Sequence, residues 1–367
     1  MFHTKRVENL AAILRKKRLD AIFAGPSTDL EYLADLKLFD DERPKGLVIS
    51  SDGRIFALAP MLYGEEMRNA LGGDAVYKIW ADHEGFIEAF VAGCREIGVT
   101  GGKIAVNYGV RAVDLIDITA ALGAEYINGA SMLSPLRRIK DETELENLRR
   151  AGAIADAVME DISKFIRKGL SEKEIREELL RLFAEHGAED ISFSPIVARG
   201  PGGSMPHYQG VGGIVRDNDF VVVDMGCRYK GYCSDMTRTF CVGGASDEMK
   251  KIYDIVLKAQ EAGEAAVRNG QTGQGVDRAA RKIIEDAGYG QYFLNRLGHG
   301  VGIAIHEEPY IVEGNDAPLE PGNVFSVEPG IYIPGKFGVR IENLVAVKPD
   351  GTAEPLNKFT REMIVVR

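Results

Sequence analysis

The sequence contains few cysteines, and their spacing excludes the two common structural uses of this residue. The four cysteines show neither the CxxC spacing of a zinc site nor the pattern of a disulfide framework. They are Cys94, Cys227, Cys233 and Cys241. We therefore expect them to be buried packing residues of a protein that works in a reducing compartment, the cytoplasm.

The sequence also lacks long apolar runs and a basic face. No stretch is long and apolar enough to span a membrane, and Val7, Leu10 and Leu14 form the stripe of an amphipathic helix rather than the core of a signal peptide. The formal net charge of −10 argues against a nucleic-acid partner, because phosphate recognition needs clustered positive charge. Isolated histidines such as His3 and His83 are expected to be surface or packing residues.

The length and the hydrophobic content predict two domains with sizeable cores. The chain has 367 residues, of which 45% are hydrophobic, and a single core rarely extends beyond ~250–300 residues. Residues 1–134 alternate helix-like and strand-like runs, including a predicted hairpin of 46–50 with 54–60, which indicates an α/β domain. A linker over 135–140 precedes a capping-box start at Asp141, which opens a second domain over 141–367, with paired helices packed on one sheet.

Two carboxylates of the second domain lie in apolar segments, where a buried charge is costly unless it is neutralised. The dipeptide Lys230-Gly231 predicts a tight turn, because glycine tolerates positive φ. A two-residue turn there places Asp235 opposite Gly226, on the same face as Asp224. The two carboxylates then repel each other unless a cation lies between them.

A second hairpin predicts a second carboxylate pair. A loop over 334–336 pairs the strand around Glu328 with the strand around Glu342, so that the two glutamates stand opposite each other. Like charges in register destabilise a plain sheet, which makes the pair hard to explain without a ligand. His299 lies between glycines that let backbone or substrate approach its imidazole closely.

Four carboxylates and one histidine form a donor set that is rich in hard oxygen ligands: Asp224, Asp235, His299, Glu328 and Glu342. The set suits Mn²⁺, Co²⁺ or Zn²⁺ better than Cu(I) or an iron–sulfur cluster, and we favour Mn²⁺. Two such cations about 3.5–4 Å apart can activate a water and polarise a carbonyl together. The sequence therefore predicts amide or peptide hydrolysis at a site with two divalent metal ions.

The blocks that carry these residues resemble, in order and spacing, the metal-dependent aminopeptidase P and prolidase family. The blocks are Asp224-Met-Gly, Tyr232-Cys-Ser-Asp-Met-Thr-Arg-Thr, Gly298-His-Gly-Val-Gly, His306-Glu-Glu-Pro, Glu328-Pro-Gly-Ile-Tyr and Arg340-Ile-Glu-Asn. The resemblance covers nearly the whole chain. It implies a creatinase-type α/β N-terminal domain followed by an α+β pita-bread catalytic domain, short proline-containing peptides as substrates, and a homodimer.

The resemblance also implies roles for residues beyond the five ligands. His207 and His306 would line the cleft and donate to the substrate carbonyl or to the oxyanion. Glu328 would relay the proton of the attacking water, and Thr237 would orient a ligand carboxylate. Strand alternation places Arg340 on the face of the glutamate two positions further along, where it would bind a substrate carboxylate or carbonyl, or else form an ion pair with a neighbouring acid.

We expect an Xaa-Pro aminopeptidase, which removes the first residue of Xaa-Pro-Yaa peptides. One alternative is an Xaa-Pro dipeptidase, which needs the free carboxylate of a dipeptide. Some such dipeptidases carry an arginine four residues after the counterpart of His306, and this chain has Tyr310 there, which weakens that alternative. Another is a metal-dependent hydrolase of a small non-peptide C–N bond, such as an ectoine hydrolase. The intact ligand set argues against a non-enzymatic binding protein on the same scaffold.

Overall fold

The chain divides into two units between Arg137 and Arg138. The computed structural model describes residues 3–210 and 212–366. The division falls within 135–140, the segment that the sequence assigns to a linker. The assignment of residues 1–134 and 141–367 to separate domains stays a prediction.

The N-terminal unit is built on one six-stranded mixed sheet. Its strands are β1 (Ala21–Ala24), β2 (Gly46–Ser50), β3 (Ile55–Pro60), β4 (Val76–Trp80), β5 (Lys103–Val106) and β6 (Glu125–Asn128). Its helices are α1 (Thr4–Lys16), α2 (Thr28–Ala34), α3 (Gly64–Leu71), α4 (Ile87–Glu96), α5 (Ala112–Leu122) and α6 (Ser134–Arg137). The strand order is β4-β3-β2-β1-β5-β6, with antiparallel pairs β1–β2 and β2–β3 and parallel pairs elsewhere. The predicted α/β class and the predicted β2–β3 hairpin are confirmed.

The C-terminal unit has four long helices, and side chains cap their first turns. They are α7 (Glu142–Phe165), α8 (Glu172–Glu185), α9 (Asp247–Ala266) and α10 (Gly273–Asp286). Asp141 and Ser171 form the predicted capping boxes with Glu144 and Glu174, which satisfies backbone N–H groups that the helix itself leaves unpaired. Across the described ranges, none of the helices is both long and apolar enough to cross a bilayer.

In the described part of this unit, the strands form four small sheets. They are β7 (Asp190–Ile191), β8 (Ile196–Arg199), β9 (Phe220–Met225), β10 (Cys227–Tyr229), β11 (Tyr232–Cys233), β12 (Met236–Val242), β13 (Gly298–Gly300), β14 (Glu307–Ile311), β15 (Val324–Val327), β16 (Gly330–Ile333), β17 (Phe337–Arg340), β18 (Asn343–Val347), β19 (Ala353–Pro355) and β20 (Val365–Val366). The strand orders are β11-β10-β7, β20-β12-β9-β8, β14-β13-β15-β18-β19 and β16-β17.

Two helix pairs cover different sheets. The α7–α8 pair shares a core with β9 and β12 that includes Val158, Leu179, Val223 and Phe240. The α9–α10 pair shares a core with β15 and β18 that includes Val256, Ala280, Phe325 and Val345. Each valine, leucine or phenylalanine side chain among these contributes roughly 1.5–3 kcal/mol when fully buried. The prediction of paired helices on one sheet is therefore wrong in this detail, because the strands divide between sheets.

The first long hairpin has the register that the sequence predicts. Tyr229 pairs with Tyr232 across Lys230 and Gly231, whose φ values of 47° and 80° are both left-handed. This is the backbone of a tight two-residue hairpin turn. The pairing of β9 with β12 continues the same register beyond the turn.

Between those two paired regions the hairpin passes from one sheet to another. Strands β9 and β12 belong to the four-stranded sheet, whereas β10 and β11 belong to the three-stranded sheet. The crossing occurs at Gly226 and at Ser234-Asp235, which lie outside all strands. A Cβ at Gly226 would lie 2.0 Å from the Ser234 carbonyl oxygen, so only glycine allows this close approach. The crossing leaves Asp235 at a break in the ladder.

The second long hairpin repeats this arrangement. Ile333 pairs with Phe337 across the predicted three-residue loop, and the β15–β18 pair continues the register of the β16–β17 pair. Glu328 and Glu342 lie opposite each other in the gap between the two paired regions, outside all strands. Both hairpins therefore place carboxylates where the chain leaves one sheet for the next.

Candidate metal centre

Three buried residues from distant parts of the sequence bring their donor atoms together. One ligand atom each from Asp235, His299 and Glu342 lies within 4.8 Å of the others. His299 Nε2 is 3.6 Å from Asp235 Oδ2 and 3.1 Å from Glu328 Oε1. Three predicted carboxylate ligands thus converge around the imidazole of the fourth, His299.

The fifth predicted ligand, Asp224, lies near the end of β9, two residues before Gly226. Its Oδ2 accepts a hydrogen bond of 2.7 Å from Arg340 Nη2. Its Oδ1 is buried, and no described residue donates a hydrogen bond to it. A buried carboxylate oxygen without a donor is costly, and a cation would supply the missing partner.

The carboxylates perturb one another strongly. Burial raises the pKa of Asp224, Asp235 and Glu342 above the ordinary value, and the charges of neighbouring carboxylates raise the pKa of each further. Burial would also raise the pKa of Glu328, but the hydrogen bond from His299, the His299 charge and Arg340 lower it. Hard oxygen donors crowded in this way fit divalent cations, whose charge offsets the repulsion. The chain therefore has a buried group of acidic and imidazole side chains that can bind metal.

Ser326 connects His299 to Glu328, although the sequence analysis did not single it out. The His299 backbone N–H donates to Ser326 Oγ at 3.1 Å, and this hydroxyl donates to Glu328 Oε1 at 2.9 Å. A Cβ at Gly298 would lie 1.8 Å from the Ser326 carbonyl oxygen, so β13 and β15 approach closely only because residue 298 is glycine. The spacing of two residues before Glu328 puts Ser326 on the same strand face, which is the signal that could have identified it.

Thr237 contacts the carboxylate of Glu342. Its hydroxyl donates to Glu342 Oε2 at 2.5 Å, and its carbonyl accepts from the Glu342 backbone N–H at 3.1 Å. Arg238, the next residue, is buried and donates to the carbonyls of Thr237 and Glu342 at 2.9 and 2.6 Å. Burial lowers the pKa of Arg238 to about 10. No periodic pattern marks Arg238 in the sequence, because most of its acceptors, such as the Glu342 carbonyl, come from segments far away in the chain.

Arg340, the predicted substrate-binding residue, lies inside the protein. Its side chain is only 4% exposed. Besides Asp224, its guanidinium donates to Thr237 Oγ1 at 3.1 Å, to the Tyr332 hydroxyl at 2.9 Å and to the Pro206 carbonyl at 3.4 Å. Donors committed in this way are not available to a substrate carboxylate. The alternative, an ion pair that fixes a neighbouring acid, is the arrangement found.

The two predicted cleft histidines lie at the accessible side of the cluster. The His306 ring makes an edge contact with His299, with ring centroids 4.2 Å apart. His306 is exposed to solvent, yet partial desolvation and then the charges of His299 and Arg296 lower its pKa to about 4. His207 is also exposed, and its charge contributes to the lowering, so the two imidazoles are near neighbours.

Comparisons with known proteins agree on one family of peptidases. A model of metallopeptidase family M24 matches residues 146–349. Probable dipeptidase PepE of Mycobacterium tuberculosis is 34% identical, over 99% of this chain and 96% of the relative. A prolidase structure from Thermococcus sibiricus has a TM-score of 0.94 and 36% identity, with 100% of both chains covered. An X-Pro aminopeptidase structure from Thermotoga maritima MSB8 has a TM-score of 0.86 and 30% identity, again over 100% of both chains. The predicted pita-bread fold is confirmed.

Proposed function

Because the chain belongs to metallopeptidase family M24, as its sequence blocks predict, we propose that it is an Xaa-Pro dipeptidase that hydrolyses the bond before proline in dipeptides. Two similar proteins that align over nearly the full length carry the names dipeptidase and prolidase. The Xaa-Pro aminopeptidase expected from the sequence becomes the second candidate. The likeness to the Thermotoga maritima X-Pro aminopeptidase, at 30% identity over the whole chain, is the observation that favours it.

The observation that carries the hydrolytic chemistry is the convergence of one imidazole and four buried or partly buried carboxylates. We propose that two divalent cations, with Mn²⁺ preferred by this oxygen-rich set, are held by Asp224, Asp235, His299, Glu328 and Glu342. When bound, such cations lower the pKa of a water and polarise the scissile carbonyl.

The residues of the chain move the protons. Glu328 is the most exposed of the four carboxylates in the cluster. Its side chain is 15% exposed. Its Oε1 accepts hydrogen bonds from Ser326 and His299, and no described residue donates to its Oε2. We propose that Glu328 Oε2 accepts the proton of the attacking water and returns it to the leaving nitrogen. The His306 and His207 rings would donate to the scissile carbonyl oxygen as it becomes an oxyanion.

The substrate preference is tested with matched peptides. We expect the Mn²⁺-loaded enzyme to cleave an Xaa-Pro dipeptide with a kcat/KM at least about tenfold above that of the Xaa-Pro-Yaa tripeptide with the same first residue, because a lost charge-assisted hydrogen bond costs roughly 1.5–3 kcal/mol. A chelated sample is the control and should be inactive on both. A preference for the tripeptide would establish the aminopeptidase instead. If the enzyme cleaves neither peptide, with or without chelator, a small non-peptide amide becomes the favoured substrate.

Removing the His306 imidazole should slow the reaction without emptying the site. We expect His306→Ala to lower kcat by about 10²–10³, because a donor to a developing oxyanion typically contributes that much. The metal content, measured by atomic emission, should match the wild type. His186, an exposed histidine paired with Asp161 at 2.9 Å, provides the control His186→Ala, which should keep full activity. A kcat unchanged by His306→Ala would remove this residue from the mechanism.

The resemblance also supports a homodimer, and the cysteine content supports a protein that works in the cytoplasm. Both stay predictions. Light scattering of the purified protein checks the first, since one chain has a mass of 40.1 kDa.

A further inference from the structure

Lys140, the last residue of the predicted linker, is a buried cation of the C-terminal unit. Its side chain is 1% exposed, and its Nζ donates to Glu307 Oε1 at 2.6 Å. Its backbone is fixed as well, because its N–H donates to the Gly322 carbonyl at 2.9 Å. Taking two charges out of water is costly, so a buried ion pair is poorly explained by stability alone. The place of Glu307 in the fold suggests what the pair does.

Glu307 closes the loop that joins the two histidines of the site. The loop leaves β13 after Gly300 and enters β14 at Glu307, and these two residues are cross-strand partners. Gly302, inside the loop, approaches the carboxylate so closely that a Cβ there would lie 2.5 Å from Glu307 Oε1. The carboxylate that Lys140 holds is therefore packed against the backbone of the loop that leads to His306.

The opposite side of this loop is held by the turn end of the first hairpin. The Cys233 backbone N–H donates to the Gly302 carbonyl at 2.8 Å, and the Cys233 thiol donates to the Ile303 carbonyl at 3.3 Å. These two hydrogen bonds fix the first half of the loop. The position of His306, at its other end, then depends on how the chain enters β14 at Glu307.

His306 and Glu307 are adjacent, and their side chains have opposite environments. His306 is exposed and makes its edge contact with the His299 ring, whereas Glu307 is buried. Because successive side chains point to opposite faces where a strand begins, the side that Glu307 takes decides the side that His306 takes. A buried carboxylate without a partner would turn towards water. Lys140 removes that cost and so keeps His306 directed towards His299.

We propose that Lys140 is a positioning residue for the hydrolysis: its ion pair with Glu307 holds the His306 imidazole beside His299, where that imidazole donates to the scissile carbonyl oxygen. Lys140 acts through Glu307 and does not touch the substrate. This inference rests on the role of His306 in the proposed function. It also gives the end of the linker a task in the site.

A double-mutant cycle tests the proposal. The kcat and KM of the Mn²⁺-loaded enzyme are measured on an Xaa-Pro dipeptide for wild type, Lys140→Met, His306→Ala and the combined variant. We expect Lys140→Met to lower kcat about 10- to 100-fold, because a misplaced group loses much of its effect, and to change KM at most about threefold. In the His306→Ala background the same substitution should lower kcat at most about twofold. An equal loss in both backgrounds would overturn the proposal.

Two further variants separate positioning from general damage. Lys336 forms an exposed ion pair with Glu248 at 3.1 Å, so Lys336→Met is a matched control that should keep the wild-type kcat. If Lys140→Met fails to fold, Glu307→Gln takes its place in the cycle, since it removes the charge and keeps an acceptor oxygen for Lys140. We expect Glu307→Gln to lower kcat about three- to tenfold, and only when His306 is present. In that case a wild-type kcat would overturn the proposal.

An observation of the imidazole makes the result independent of turnover. The Cε1–H signals of the histidine rings are recorded by NMR on the Zn²⁺-loaded enzyme, which is diamagnetic, and the His306 signal is identified by its absence in His306→Ala. In Lys140→Met we expect this signal to move towards that of the exposed His83, because the ring leaves its contact with His299. An unmoved signal would overturn the proposal. If the wild type cleaves neither peptide but the signal moves, the proposed function fails while the positioning by Lys140 stands.

Discussion

Replacing Asp235 with alanine is expected to abolish both turnover and metal loading while the fold is retained. Asp235 is buried between His299 and the other carboxylates of the described site. Water therefore cannot solvate its charge, and a bound metal ion is the partner that neutralises it. Loss of one ligand should therefore release the metals, because the remaining carboxylates cannot close around them. Metal content and kcat/KM measured on the same preparation check the result.

Stability distinguishes a lost ligand from a damaged fold. Mn²⁺ at a hundredfold excess over Kd should stabilise the wild type by about 2.7 kcal/mol and so raise its melting temperature. It should not raise the melting temperature of Asp235→Ala or Asp235→Asn. The exposed Asp254, paired with Lys258, gives the control Asp254→Asn, which should behave as the wild type. Full activity with normal metal content in either Asp235 variant would contradict the site.

Asp235 should also affect how the stability of the metal-free protein depends on pH. Burial and then the charges of Glu342 and Asp224 raise the folded-state pKa of Asp235. A carboxyl whose pKa is higher in the folded state contributes stability at low pH and loses it as the pH rises through that folded pKa. Metal-free wild type should therefore lose more stability than Asp235→Asn as the pH rises from the acid range to neutrality.

Replacing Arg340 with methionine is expected to destabilise the metal-free protein by about 3–5 kcal/mol, the usual cost of leaving one member of a buried ion pair without its partner. The loss arises because Asp224 Oδ2 is deprived of its donor at 2.7 Å while Oδ1 already lacks one. The Tyr332 hydroxyl and Thr237 lose a donor as well. Urea denaturation should show a lower midpoint with an unchanged m-value.

A double variant isolates the Asp224–Arg340 pair. Asp224→Asn added to Arg340→Met should recover part of the lost stability, since the uncompensated charge is then gone. Arg278→Met, which breaks an exposed pair with Glu313, should cost at most about 1 kcal/mol. If Arg340→Met kept wild-type stability and lost only the preference for substrates with a free carboxylate, the original substrate-binding prediction would be restored.

The hairpin registers were predictable because they depend on local chemistry. Lys230-Gly231 marks a turn that needs positive φ at two consecutive positions, and the structure has both. Once a turn is fixed, the period of two assigns every later cross-strand pair and every face. That is why Glu328 and Glu342 could be placed opposite each other from the sequence.

The partners of charged side chains were not predictable in the same way. Strand alternation gave the face of Arg340, but its acceptor, Asp224, comes from the other hairpin. Choices of this kind are decided by packing between segments that are far apart in the sequence.

By itself the sequence determined the α/β N-terminal unit, the capped helices of the C-terminal unit, the two hairpin registers and the types of the five candidate ligands. These features follow from periodicity, turn residues and capping side chains, each of which acts over a few neighbouring positions. Only the tertiary structure decided that both hairpins cross between sheets at the carboxylates and that Arg340 forms an ion pair with Asp224. The reason is physical: burial and electrostatic partnership depend on which distant segments pack together, and no local pattern specifies that.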